Sequence, residues 1–297
     1  MWILCSTALG FLLDLCFGDP RWLPHPVVLI GKSISRLERF LRRKFPQTPE
    51  GERRAGVILA AAIPLGSLLL SLGILLLAYR ISFWLWFVLH TFWAYQILAA
   101  RCLERESDKV YRLLAAGDLP GARVQLSYLV GRDTTQLTAE EVTKACVETV
   151  AENTSDGVTA PLLYLMIGGV PLGFCYKAIN TLDSMVGYRN AKYLHLGRAS
   201  AKLDDAANWL PSRICGLLLT VSAFLLRLDG KNAWRIFRRD RRTICLPTLR
   251  RQNPPQPVRW ESSWAERISI SATWWKSPPS AMRFVWQNQR TFAAPMG

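Results

Sequence analysis

The sequence predicts an all-α, multi-pass membrane protein with a helical hydrophilic loop region, on three observations. Residues 55–79, "AGVILAAAIPLGSLLLSLGILLLAY", carry no charged side chain for 25 residues, and about 20 apolar residues suffice to cross the hydrocarbon of a bilayer. Residues 81–100, "ISFWLWFVLHTFWAYQILAA", form a second run without Lys, Arg, Asp or Glu, crowded with Trp and Tyr. The third observation is the balance of the whole chain: half of its 297 residues are hydrophobic, yet the formal net charge is +15. That charge suits either a nucleic-acid binder or a membrane protein with basic loops on one side. The two uninterrupted runs decide for the membrane, with lipid and not nucleic acid as the partner.

The elements follow in order. The start, "MWILCSTALGFLLDLCF", lacks the basic opening and small-residue cleavage site of a secretory signal, which predicts an embedded helix carrying Asp14. Segment 19–54 holds a dense basic group, "RLERFLRRKF", between Arg36 and Phe45. Only Arg80 separates the two long runs, so they predict a tight helical hairpin. The hydrophilic segment 101–157 spaces its apolar residues three and four apart, the helical period. Within it Asp118-Leu-Pro-Gly reads as a turn and Thr138-Ala-Glu-Glu as a helix start.

Two weaker apolar runs come next. Residues 158–176 are broken by Gly168, Gly169 and Pro171, and residues 206–226 contain Arg213. The positive-inside tendency places 19–54, 101–157 and the basic segment after 226 in the cytoplasm. Parity then leaves two routes. If both weaker runs cross, the polar stretch 177–205 lies outside. If 158–176 enters and turns back at its breaks, that stretch returns to the side it came from. The breaks favour the second route.

Chemistry-bearing residues fall in three clusters. In "ETVAENTSDGVTAPLLYL", 148–165, Glu148, Glu152 and Asp156 stand four apart. One continuous helix would align these like charges, which repel by roughly 0.2–0.5 kcal/mol per pair. A hard cation would relieve that, and Mg²⁺ takes oxygen ligands, often one or two carboxylates completed by water and phosphate. A solvated acidic face is the plainer alternative. The stretch 177–209 interleaves Lys177, Asn180, Asp183, Tyr188, Arg189, Asn190, Lys192, Asp204 and Asp205 with apolar residues. Ionisable groups beside a bilayer point to function; its cations suit phosphate or carboxylate, or they snorkel at the interface.

The third cluster, "DLCFGDPRWLPHPVVLIGKS", 14–33, offers Asp14, Asp19 and a His25 held between two prolines. Gly31-Lys32-Ser33 looks like the end of a phosphate loop, but Pro26 stands where that loop needs Gly. The 7 cysteines are scattered without a C-x-x-C, which signals neither a disulfide framework nor a zinc site. With 3 histidines in all, histidine-based metal chemistry is not indicated.

"LLDLCFGDPRWLPHPVVLIGK", "ETVAENTSDGVTAPLLY" and "YKAINTLDSMVGYRNAKYLHLGRASAKLDDAANWLPSR" together resemble the adenosylcobinamide-phosphate synthase family of cobalamin biosynthesis, in order and over residues 1–242. The resemblance implies a multi-pass protein of the bacterial inner membrane. It implies a ligase that uses ATP and Mg²⁺, with no covalently bound cofactor, to form an amide. The amine is (R)-1-aminopropan-2-ol or its O-phosphate, and the corrinoid substrate is adenosylcobyric acid, through its remaining free propionate. On that chemistry Glu148, Glu152 and Asp156 would hold the metal. Glu152, Asp156, Lys177 and Asp183 would serve catalysis. Asp19, His25, Asn153, Asn180, Tyr188, Arg189, Asn190 and Lys192 would bind substrate. A small-solute transporter would instead carry ionisable groups at the midplane of its spans, whereas here the two clearest spans are clean and the polar groups gather in connecting segments.

After Arg242 the resemblance stops. The family continues with Asn-His-x-x-Pro-Asn, Gly-Ala-Leu-Gly and Lys-Pro-Thr-Ile-Gly-Asp-Ala motifs, and the tail here shows neither helical nor strand period. Codon degeneracy permits all three motifs one base out of register: NHLPPNA from Arg242, GALGVQLGGTNLYFGDVVE from the last base of Pro257, and KPTIGDAVR through Val285. The expectation is a membrane-embedded synthase domain at 1–242 and an out-of-frame, poorly ordered tail at 243–297. An intact frame on resequencing the Arg242 codon would refute it. A tail of that kind would threaten activity and leave a non-catalytic scaffold of the corrin pathway as the alternative.

Overall fold

A computed structural model describes residues 1–240 other than Arg21, Arg132, Arg189, Asn190 and Leu228, and leaves aside the side chains of Ile236 and Asp240. The tail at 243–297, with its expected shift of frame, lies outside the described residues. Among those described there is no strand. Four helical runs are long and apolar enough to cross a membrane, at Pro49–Ile81, Phe83–Ala115, Ala139–Val186 and Arg198–Leu225. The chain forms two compact units, Met1–Arg101 with Ser155–Ser212, and Cys102–Thr154 with 213–240.

The first unit is built on α1 (Trp2–Phe17), α2 (Pro26–Lys44), α3 (Pro49–Ile81) and α4 (Phe83–Ile97). At 33 residues α3 is about 50 Å long. Thr48 caps it, the hydroxyl oxygen accepting from the Gly51 N–H at 3.2 Å, and Pro49, Glu50 and Glu52 fill its first turn as the helix dipole favours. Ser82 alone joins α3 to α4, ending one and capping the other through the Trp84 N–H at 3.2 Å, so the expected tight hairpin forms. α1 runs parallel to α4. Gly10 lets the two backbones touch, since a Cβ there would sit 2.8 Å from the Ala94 Cβ. α2 is amphipathic, burying Ile30, Ile34, Glu38 and Leu41 and exposing Lys32, Arg36, Arg39 and Arg43. Its Arg42 donates to Glu38 at 3.0 Å, to Glu52 at 3.2 Å and to the Lys192 carbonyl at 2.7 Å, tying α2 to α3 and to the loop before the last helix of the unit.

The second unit carries most of the hydrophilic segment as α5 (Ala100–Ala115), α6 (Leu119–Ser127) and α7 (Ala139–Thr154), with α10 (Gly230–Asp240) near its end. Val110, Ala122, Leu126, Val142, Ala145 and Cys146 form its small core, the three-and-four spacing in space. At the start of α7, Thr138 and Glu141 cap reciprocally: the Glu141 N–H donates to the Thr138 hydroxyl oxygen at 3.3 Å, and the Thr138 N–H to the Glu141 carboxylate at 2.8 Å. Asp118-Leu-Pro-Gly corrects the expectation of a turn. Asp118 is the N-cap of α6, its carboxylate accepting from the Gly121 N–H at 2.9 Å, because Pro120 fits a first helical turn as readily as a turn proper.

The weak run 158–176 reverses direction at its glycines. α8 (Ala160–Val186) leaves helical geometry at Gly168 (φ −133°, ψ 16°) and Gly169 (φ 66°, ψ −162°). Beyond that break the chain returns along itself. Leu165 packs on Gly173, the rings of Tyr164 and Tyr176 stack at 4.9 Å, and the Asn180 amide meets the Asp156 carboxylate at 3.4 Å. In a straight helix those pairs would stand about 12, 18 and 36 Å apart. The segment is therefore a helical hairpin, which brings the end of α8 back beside Asp156 and Tyr164. The expectation that polar groups sit in connecting segments is corrected in part, since Lys177, Asn180 and Asp183 belong to α8 and Asp204 and Asp205 to α9 (Arg198–Leu225).

The hairpin tip is held by a residue that no local pattern marks out. The break frees the Val170 N–H, and the His90 Nε2 accepts it at 3.1 Å. An N–H can only donate, so the imidazole proton sits on Nδ1 and is given to the Ser6 hydroxyl oxygen at 2.9 Å. His90 is 1% exposed. A neutral histidine in an otherwise charge-free span thus serves as a backbone cap, joining α1, α4 and α8.

Candidate functional site

Three elements of the first unit bring polar side chains together. On α8, Tyr176, Asn180 and Asp183 recur every three or four residues and so share one face. On α9, Asp204 and Asn208 do the same. The third element is a π-helical turn, Ser155–Thr159, whose wider winding carries Asp156; single π turns recur at functional sites. The Tyr176 hydroxyl donates to the Asn208 side-chain carbonyl at 2.8 Å, and the Asn208 amide donates to Asp204 Oδ2 at 3.1 Å. The Tyr164 hydroxyl donates to the Ala207 carbonyl at 2.9 Å, fixing α9 against the first limb of the hairpin. Asp183 and Asp204 lie close enough to act on each other electrostatically.

Lys177 points to a second group, on the face of α8 next to the first. Its ammonium acts on Asp14, Asp19 and His25. Asp14 is fully buried, and its Oδ2 accepts from the Ala100 N–H at 2.8 Å, supplying from α1 the N-terminal cap that the start of α5 requires. Asp19 and His25 face each other at 3.9 Å. Burial raises the Asp19 carboxyl above its ordinary value, with Lys177 opposing. Burial, and then the Lys177 charge, lower His25 below its ordinary 6.5.

His25 must be neutral for its structural task, because its Nδ1 accepts from the Val27 N–H at 3.2 Å to cap α2. A group whose value is lowered by folding contributes stability above its ordinary value and loses it as pH falls. Asp19, raised, works in the opposite sense, its contribution complete only below 3.8. His25→Asn keeps a capping oxygen and cannot titrate. From pH 7 to pH 5, thermal unfolding of the unaltered protein should therefore lose about 1 kcal/mol relative to that variant, the worth of one cap. Parallel stability curves would show that the cap does not titrate.

The other expected residues fall elsewhere. Glu148 is half-buried, while Glu152 and Asn153 are exposed on α7. The Asn153 amide donates to the Thr149 carbonyl at 2.9 Å. α7 ends at Thr154 and the π turn follows, so the single α-helical face expected to align Glu148, Glu152 and Asp156 stops short of the third. Among the described residues no group of three or more His, Cys, Asp or Glu is gathered to hold a metal ion. Tyr188 and Lys192 are exposed, Lys192 lying 4.7 Å over the Tyr193 ring. Arg189 and Asn190 lie outside the described residues. Tyr164, Tyr176 and Asn208 enter the cluster though nothing in their spacing marked them out; each resembles core or interface until the hairpin folds.

A profile of the CobD/Cbib protein family matches residues 7–245. The chain is 53% identical over 239 residues to a cobalamin biosynthesis protein CobD of Geobacter metallireducens, covering 80% of this chain and 73% of that one. It is 45% identical over 248 residues to a protein of the same name from Listeria monocytogenes serotype 4b, covering 82% and 77%. It is 44% identical over 236 residues to a cobalamin biosynthesis protein CbiB of Salmonella arizonae, covering 80% and 74%. No solved structure matches. On a profile match over most of its length, and on relatives this similar, the chain belongs to the CobD/CbiB family.

Proposed function

We propose that this protein is a ligase of the bacterial inner membrane that uses ATP to join (R)-1-aminopropan-2-ol, or its O-phosphate, to the free propionate of adenosylcobyric acid. Its family places it in cobalamin biosynthesis. The observation that carries the chemistry is the convergence of Asp156, Asn180, Asp183 and Asp204 from a π turn and two helices, beside Lys177. Amide formation brings together an anionic carboxylate, a cationic amine and a triphosphate, and carboxylates, amides and a lysine suit those charges. Orienting two bound reactants can supply about 7–11 kcal/mol of such a barrier.

Mg²⁺ bound with ATP would neutralise the phosphates and polarise the one transferred. The residues fit a metal of this kind, which asks the protein for one or two carboxylates and takes its remaining ligands from phosphate and water. Asp156, which the π turn carries into the polar cluster beside Asn180, is the proposed donor. Lys177 sits within the electrostatic reach of Asp19 and His25, where it would orient the propionate or a phosphate. Asn180 holds Asp156 in place and Asp183 faces the incoming amine. The tail at 243–297 remains proposed as out of frame, which the end of the family match at residue 245 supports.

Membranes containing the protein, given adenosylcobyric acid, ATP, Mg²⁺ and either amine, should yield the amide together with ADP and phosphate. The same chain with one base restored near the Arg242 codon tests the tail in parallel. Corrinoid binding without product from both chains would replace the ligase with a scaffold.

A further inference from the structure

One face of α2 is left without counter-charge among the described residues. Lys32, Arg36, Arg39 and Arg43 are exposed on it, and at 3.6 residues per turn they fall within about 60° of one another around the helix axis. No carboxylate among the described residues pairs with any of the four. Arg39 turns its Nε to the Ser35 carbonyl of its own helix at 3.1 Å. The helix has a single acid, Glu38. That side chain points the other way, buried against Arg42, which also reaches Glu52. One arginine of α2 is thus paired and turned inward, while four cations face outward. Like charges in such a row repel, so the row asks for anions from outside.

Two features of the helix point to lipid as their source. Val28 on one flank of the cations, and Leu29 and Phe40 on the other, are exposed as well. Water alone has no use for three bare apolar side chains, whereas a helix at a lipid surface sets them among acyl chains and its cations at the headgroups. The second feature is position. Ile30, Ile34 and Leu41 share one core with Ala55, Leu59 and Ile63 of α3, where the charge-free run begins, and Arg53 and Arg54 are exposed just before that run. We propose that α2 lies at the membrane surface, where Lys32, Arg36, Arg39 and Arg43 bind the phosphates of anionic phospholipids. The long Lys and Arg stems cover the apolar flanks while the charges reach the headgroups. A soluble polyanion or an acidic protein would answer the same charges but leave Val28, Leu29 and Phe40 bare. This surface is independent of the amide chemistry.

The purified full chain, in bilayer nanodiscs of equal phosphatidylglycerol and phosphatidylcholine, tests the proposal. A photoreactive benzoylphenylalanine replaces Ser33, an exposed residue beside the cations, or in a control Leu77, exposed near the other end of α3. Adducts at Ser33 should favour the anionic lipid about 5-fold or more, the scale of one Lys or Arg beside an anionic surface. Those at Leu77 should show no comparable preference. Lys32→Gln, Arg36→Gln, Arg39→Gln and Arg43→Gln together should bring the Ser33 ratio down to about one. Should that variant fail to fold, about 1 M salt, which shortens the screening length to roughly 3 Å, should do the same without any change to the four cations. Equal adducts from the two lipids at Ser33, a preference as large at Leu77, or a ratio that survives both the substitutions and the salt overturns the proposal. Lipid adducts at Leu77 with none at Ser33, or with a protein captured there instead, place α2 off the bilayer and overturn it as well.

Discussion

Gly169→Ala should cost about 2–6 kcal/mol of stability and shift the thermal unfolding of the purified protein steeply downward. Two terms make up that range. At φ 66° and ψ −162° the residue occupies backbone space that is essentially reserved for glycine, and an L-residue forced there is strained by about 1–3 kcal/mol. The added Cβ would also stand 2.7 Å from the His90 Nε2, pushing the ring off the Val170 N–H that it caps. A buried donor left without its acceptor costs about 1–3 kcal/mol. Against a typical total of about 5–15 kcal/mol, that loss is large. His90→Leu should show the second term alone. Gly73→Ala, where nothing lies within 4 Å, is the control and should be neutral or stabilising in its helix by up to about 1 kcal/mol. Equal stability of Gly169→Ala and Gly73→Ala, read by tryptophan fluorescence during heating, would mean that the hairpin does not depend on its glycine.

Lys177→Met is the second large effect. It withdraws the positive charge that acts on Asp14 and Asp19. Asp14 is fully buried, with one oxygen on the Ala100 N–H at 2.8 Å and the other without a hydrogen-bond partner. The Lys177 charge is the smallest of the influences on Asp14, so about 3–5 kcal/mol, the cost of removing one side of a buried ion pair, is a ceiling. Lys177 is half-buried and Asp19 a quarter exposed, which points to the lower end. The diagnostic is the double variant. Asp14→Asn keeps an oxygen for the Ala100 N–H and removes the stranded charge, so Lys177→Met with Asp14→Asn should be more stable than Lys177→Met alone. Amide synthesis should stay lost in both, since the proposed role of Lys177 toward substrate is not restored. Strictly additive losses across the four proteins would show that the two side chains are not coupled.

Much of this architecture was visible in local pattern. Charge-free runs mark α3 and α4, and the Thr138–Glu141 pair marks the start of α7, because hydropathy and capping depend on residues within one or two turns. The family, too, could be read from short motifs. Other residues were legible only in kind. Asp183 and Asn180 stood out as polar groups beside apolar ones, yet the sequence could not say that they face Asp204 and not Tyr188 or Lys192, which are exposed. Glu152 and Asn153 drew attention by their company in a dense polar motif and proved to be exposed on α7. His90 is not legible locally, because a single histidine in an apolar span has no local partner; its partners, Ser6 and Val170, are some eighty residues away on either side.

Composition and spacing by themselves therefore determined that this is a helical membrane protein with its polar chemistry concentrated between residues 148 and 209, and short motifs carried the resemblance to its family. Only the tertiary structure decided that 158–176 folds back and that Tyr176 and Asn208 aim Asp204. The physical reason is range. Helix formation and burial in lipid answer to neighbours in the chain, whereas the direction of a buried carboxylate is set by atoms that meet only after two glycines have reversed the path.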